Sequence, residues 1–161
     1  QIGTLGVVFV VIMIMFVVLF RSLYLAVIGM IPNLLAASVV LGTMGWMKVP
    51  LDIMTITVAA ISVGMAVDNT IHYIHRFKLE FRKTSNYEVS MKNSHNTIGR
   101  AMFYTSTTII IGFLVLVTSN FNPTVYFGLF VSLAMFMALM GALTLLPQLL
   151  MILKPLGKEE S

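Results

Sequence analysis

Asp68 is a carboxylate inside the apolar stretch that runs from Asp52 to His75, about 16 residues past the point where that stretch begins. Arg76 lies eight residues further on, which puts Asp68 about 12 Å from the polar boundary if the segment is an α-helix. An ionised carboxylate at such depth in hydrocarbon costs at least about 2.5 kcal/mol, and residues of this kind mark ion or substrate paths. A carboxylate poised between desolvation and a nearby cation or hydrogen-bond donor can load and release a proton. That is the chemistry of a proton-driven transporter; the plainer reading is a static Asp tied to a neighbouring helix. Gly64 precedes Asp68 by one helical turn, His72 follows it by one, and His75 by almost two, so all four share a stripe. Histidine titrates near neutrality. His72 and His75 could therefore pass protons between Asp68 and the aqueous edge, or simply anchor the helix end beside Tyr73. Gly64 would let a helix or water approach the carboxylate, though packing alone explains it equally well.

A second group of polar side chains is the run Thr105-Ser106-Thr107-Thr108, with Gly112 one turn later. Thr105 and Thr108 share the face that includes Gly112, where they could line a hydrated wire or bond a carboxylate on an adjacent helix. The alternative is that each hydroxyl bonds back to its own helix. Asp68, His72 and His75 could also suggest zinc. Three ligands on one helix converge poorly, however, and no other apolar stretch carries an acid or a histidine; His95 falls in a polar connection. No metal and no cofactor is expected, with protons as the coupling ion.

These side chains need elements long enough to hold them at depth. The chain has 161 residues, 58% hydrophobic and 10% charged, with a mean hydropathy of +0.97. A soluble domain carries about 25% charged residues, and one this small could not hide so much apolar surface. A water-soluble enzyme, a disordered chain and a nucleic-acid-binding module are excluded. No cysteine is present, and the 13 methionines are read as pliant apolar filler. A hydrocarbon core needs about 20 apolar residues in helix. Five stretches meet that need, over residues 4–20, 23–46, 52–75, 98–118 and 124–153, within a single transmembrane domain, residues 1–161. Asp52 is the expected N-cap of the third and Asn122-Pro123 opens the fifth. Pro32 and Pro147 are expected bends; Gly128, Ser132 and Gly141 are expected close-packing residues.

Nine of the ten basic residues fall on one side of these spans, Lys48 being the exception. The positive-inside rule makes that side cytoplasmic. The expected fold is an all-α membrane protein with five transmembrane helices, its N-terminus outside and its C-terminus cytoplasmic. A chain that begins outside without a signal peptide reads as a piece of a longer protein. Residues 78–96 are the one polar stretch of any length, with Phe81, Tyr87 and Met91 interleaved among Lys78, Arg82, Lys83 and Lys92. They read as a short amphipathic cytoplasmic helix on the inner leaflet, with a docking surface as the alternative. No Walker-type phosphate loop occurs.

The stretch PLDIMTITVAAISVGMAVDNTIHYIHRF, residues 50–77, resembles the fourth or tenth span of RND-superfamily exporters, with their Gly-x-x-Val-Asp-Tyr-x-Ile-His pattern. The flanking RSLYLAVIGMIPNLLAASVVLGTMGWMKVPL and RAMFYTSTTIIIGFLVL, and the ending FGLFVSLAMFMALMGALTLLPQLL, are similar to neighbouring spans in the same order. The resemblance is nearest to the hydrophobe and lipid exporters, MMPL-like and hopanoid transporters among them. It implies the five spans that follow a large exoplasmic domain, in the C-terminal half of a bacterial inner-membrane exporter driven by the proton-motive force. It places Asp68 at the family's proton-carrying aspartate and implies a hydrophobic or lipid substrate. The implied partners are the other half of the transporter, its exoplasmic domains and membrane lipids, with no nucleic acid. Asn69 stands where relatives usually have Tyr; it can still hydrogen-bond a carboxylate but lacks the ring's reach. Two other branches share a five-span unit: sterol-sensing domains, which would make this a lipid-sensing or scaffolding module without transport, and accessory subunits of bacterial protein export. The Thr105-Ser106-Thr107-Thr108 run and the Ile71-His72 step favour the exporters.

Overall fold

The computed structural model describes residues 2–49 and 53–158, so the expected N-cap at Asp52 lies outside the described residues. All regular structure among them is helical: α1 Ile2–Phe20, α2 Leu23–Trp46, α3 Ile53–Thr84, α4 Tyr87–Ser94, α5 Arg100–Val115, α6 Asn122–Met140 and α7 Leu146–Leu153. A π-turn, His95–Gly99, joins α4 to α5, a 3-10 turn Leu116–Thr118 ends α5, and a second π-turn, Gly141–Leu145, joins α6 to α7. Four helical segments are long and apolar enough to cross a membrane: Leu23–Trp46, Ile53–Thr84, Tyr87–Thr118 and Asn122–Leu153. The first expected span is shorter, an apolar helix over Gly6–Phe20.

Local chemistry accounts for the helix ends. The Ser22 hydroxyl accepts from the Leu25 N–H at 3.4 Å and so caps α2, and Asn86 does the same for α4 through the Val89 N–H at 3.1 Å. Arg21, Lys48, Ser85 and Lys154 take left-handed backbone angles where helices stop or chain direction changes. Pro147 sits at the start of α7 directly after the π-turn. The bend expected there is thus a change of helix type, while α2 runs unbroken through Pro32.

Three packing layers hold the helices together. At the basic end Phe16, Phe20, Leu25, Ile28, Tyr73, Ile74, Phe77, Tyr87, Leu146 and Leu150 form one buried cluster. Ala36, Ala66 and Ala138 bring α2, α3 and α6 together through small side chains. Val40, Met44, Val58, Phe130, Val131 and Ala134 close the other end. A Cβ added at Gly29 would lie 3.1 Å from Thr70 and Ile74, and one at Gly141 would lie 3.1 Å from Pro32. Gly128 is tighter still, where an added Cβ would collide with the Phe113 carbonyl and lie 2.8 Å from Leu116 Cβ. The Ser132 hydroxyl bonds the Gly128 carbonyl at 2.7 Å on the same face.

The polar connection differs from its expected form. α3 does not stop near residue 75 but continues to Thr84, because Glu80 pairs with Arg76 at 2.8 Å and with Lys83 at 3.7 Å along the helix. The chain then folds back, and α4 turns Tyr87 inward rather than toward lipid. Its ring packs on Phe77 and Phe81 with centroids 6.1 and 4.4 Å away. Its hydroxyl donates to the Gly157 carbonyl at 2.9 Å and accepts from the Leu156 N–H at 3.0 Å. The C-terminal segment thus supplies the polar partners that make burial of this aromatic residue favourable.

Gly128→Ala should lower the unfolding free energy of the detergent-solubilised protein by about 1–3 kcal/mol, the usual cost of overpacking. Gly42→Ala, where an added Cβ meets nothing within 4 Å, should be neutral or stabilising; thermal unfolding of the two variants side by side checks the difference.

Candidate functional site

α3 carries two different faces. Thr55, Val58, Ser62, Ala66, Thr70, Tyr73 and Phe77 are buried among the other helices. Gly64, Asp68, His72 and His75 point away from them and are exposed. Asp68 Oδ1 lies 3.3 Å from His72 Nε2, with the two side chains 70% and 58% exposed. A Cβ added at Gly64 meets nothing within 4 Å. The stripe read from the sequence therefore exists as a continuous surface, and it is turned outward.

The remaining candidates do not join it. Asn69, one position on from Asp68, is rotated into the bundle and only 6% exposed, with its Nδ2 lacking a partner among the described residues. Thr105 and Thr108 are exposed on α5, and each hydroxyl donates to its own helix, to the Ala101 carbonyl at 2.8 Å and the Tyr104 carbonyl at 2.9 Å. Gly112 has nothing within 4 Å of an added Cβ. Ser106 is the member of that run facing inward; it is fully buried and its hydroxyl has no partner among the described residues. α5 packs chiefly on α6. No hydrogen bond links the α3 stripe to Thr105 or Thr108 among the described residues. No group of three or more acid, histidine or cysteine side chains able to hold a metal occurs among the described residues.

Three polar contacts, buried or half-buried, escape a reading of the sequence. The Thr70 hydroxyl lies 3.2 Å from Asn33 Oδ1, linking α3 to α2, while Asn33 Nδ2 donates to the Gly29 carbonyl at 3.0 Å. Glu80, which falls in the polar stretch 78–96, is a buried acid of α3; besides its two cations, it accepts from Asn93 Nδ2 at 3.1 Å. His95 makes the third. Its Nε2–H donates to the Leu143 carbonyl at 2.9 Å, and its Nδ1 lies 2.9 Å from the Tyr73 hydroxyl and 3.1 Å from the Met91 carbonyl. In a regular α-helix the Leu143 carbonyl would accept from the N–H of residue 147, but residue 147 is proline and has none. His95 fills that vacancy from 48 positions away and fastens α3, the α4–α5 junction and the α6–α7 junction at one point. The sequence could have signalled an open carbonyl four residues before Pro147, but not its partner.

The family model for the MMPL family matches residues 1–159. A putative membrane protein of Methanocaldococcus jannaschii, MJ1562, is 29% identical over 141 residues, covering 88% of this chain and 36% of that protein. The hopanoid transporter HpnN of Burkholderia multivorans is 23% identical over 111 residues, 69% of this chain and 13% of that protein. This chain thus spans about a third or less of the relatives it matches. No solved structure matches.

His95→Ala should cost about 1–3 kcal/mol of stability, since it strips the half-buried Leu143 carbonyl of its donor. Tyr73→Phe should cost less on its own and little more in the His95→Ala background. A double-mutant cycle by chemical denaturation checks this coupling.

Proposed function

Since this chain belongs to the MMPL family, we propose that it is the transmembrane half of an exporter of hydrophobic or amphiphilic molecules, driven by the proton-motive force through Asp68. The family makes it a membrane transporter module. The observation that carries the finer reading is the outward placement of Asp68. A bundle buried in lipid has no reason to aim a carboxylate at hydrocarbon, where ionised groups cost several kcal/mol. The stripe Gly64, Asp68, His72 and His75 is therefore an unfinished interface, completed by the other half of the transporter. Charge then moves at the junction between halves, with Asp68 loading the proton and His72, already beside it at 3.3 Å, passing it on. Thr105 and Thr108 hydrate the path from α5 once that interface closes. Asn69 has no part in this path, because its side chain points into its own half.

In this reading α1 is the first of five spans, the N-terminal end of the unit lies outside, and every basic residue but Lys48 lies in the cytoplasm of a bacterial cell. The unit alone has little room for cargo. A cavity lined by residues that include Met54, Val58, Tyr126 and Phe130 is about 140 Å³, below the roughly 300 Å³ at which ligand pockets begin. The hydrophobic substrate is chosen and carried elsewhere, by the exoplasmic domains and the junction of the halves.

Asp68→Asn in the full-length protein should abolish export under an imposed proton gradient while leaving membrane insertion and assembly intact. Vesicle transport assays with a pH-sensitive dye check it. Export at the wild-type rate by this variant would sink the proton-carrying role, and lipid-dependent partner binding without flux would point to a sensing module instead.

A further inference from the structure

The basic residues are not equivalent. Among the described residues Arg76 and Lys83 are matched by Glu80, and Lys92 by Glu88 at 3.0 Å. Arg21, Lys78 and Arg82 face no such acid among the described residues, yet they share one patch. Arg21 follows Phe20, the last residue of α1, and forms with Ser22 the two-residue turn into α2. Lys78 Nζ donates to the Phe20 carbonyl at 3.1 Å, which ties α3 to the end of α1 and leaves two ammonium hydrogens free. Arg82 lies one helical turn beyond Lys78 on α3. Lys78 feels the repulsion of both Arg21 and Arg82, and both arginines are exposed. A left-handed backbone at Arg21 holds the turn in this position.

We propose that Arg21, Lys78 and Arg82 form a binding site for the phosphate headgroup of an anionic phospholipid. Two apolar helices leave the membrane at the Arg21–Ser22 turn, so the patch lies at headgroup level, where an anionic surface attracts each nearby Lys or Arg. Three cations held together without a counter-ion repel one another, and a phosphodiester whose acyl chains run beside α1 relieves that repulsion. The apolar side chains of α1 that the rest of the chain leaves exposed, Val11, Ile14 and Val18 among them, offer those chains a surface. A soluble phosphate would gain the charge contacts but not this apolar one. The inference requires only that α1 and α2 lie in the membrane and stands apart from the proton path.

The full-length protein in neutral detergent, titrated with phosphatidylglycerol or phosphatidylcholine and weighed by native mass spectrometry, tests it. Wild type should retain phosphatidylglycerol preferentially. The Arg21→Gln/Arg82→Gln double variant should bind it more weakly by on the order of tenfold, while Arg100→Gln/Lys158→Gln, which removes as much charge elsewhere, should leave it unchanged. Equal losses in both doubles, or no loss in the first, would overturn the site. Displacement by inorganic phosphate would assign it to a soluble anion instead. Asp68→Asn should bind the lipid as wild type does, so a failure here is distinguishable from a failure of proton coupling.

Discussion

A polar group in hydrocarbon gains by finding a partner, and much of the structure of this chain follows from where such groups find one, Asn69 and Ser106 being exceptions among the described residues. The hydroxyls of Thr105, Thr107 and Thr108 bond back to their own helix. Asn33 and Thr70 pair with each other between α2 and α3. The Leu143 carbonyl, orphaned by Pro147, receives a histidine from the α4–α5 junction. Asp68 alone among the described acids is both far inside an apolar helix and turned away from the other helices, with His72 beside it. The same rule that stabilises the interior thus makes the outer face of α3 incomplete by itself, and the functional proposal grows from that imbalance.

Much of the fold was legible because the apolar runs are long and the interruptions are few. Leu23–Trp46 matches the expected second span to the residue, and Gly128 and Gly141 lie where small side chains allow helices to touch. The stripe of Gly64, Asp68, His72 and His75 was legible too, since it needs only helical periodicity. Its direction was not. In water the apolar side of a helix is its inner side, but in lipid both sides are apolar and hydrophobicity loses the power to tell them apart. What turns α3 is shape: Ala59, Ser62 and Ala66 allow close approach on one side, and Asp68 is left on the other.

The basic end was harder to read for a different reason. A sequence of alternating aromatic and cationic residues suggests a helix lying on a membrane, and α4 has that composition. Yet Tyr87 finds both a donor and an acceptor in the C-terminal segment 69 and 70 positions away, and Glu80 finds Asn93 across the turn. Such contacts form between parts of the chain that local pattern cannot relate. They convert a peripheral strip into a lid that binds the ends of α3, α5 and α7 into one body.

The two π-turns have a consequence for how this chain can vary over evolutionary time. A π-turn holds one residue more than an α-helical turn, so each is equivalent to a single-residue insertion absorbed without breaking the rod. Deleting one residue within Gly141–Leu145 would restore a plain α-helix and leave the faces after it where they are, whereas a deletion elsewhere in α6, with no extra residue to give up, would rotate everything after it by roughly 100°. Leu146 and Leu150, now fully buried, would stay buried in the first case and swing toward lipid in the second. A change of length along each rod is therefore tolerated at its irregularity, and homologous chains one residue shorter there would present the same side to their neighbours.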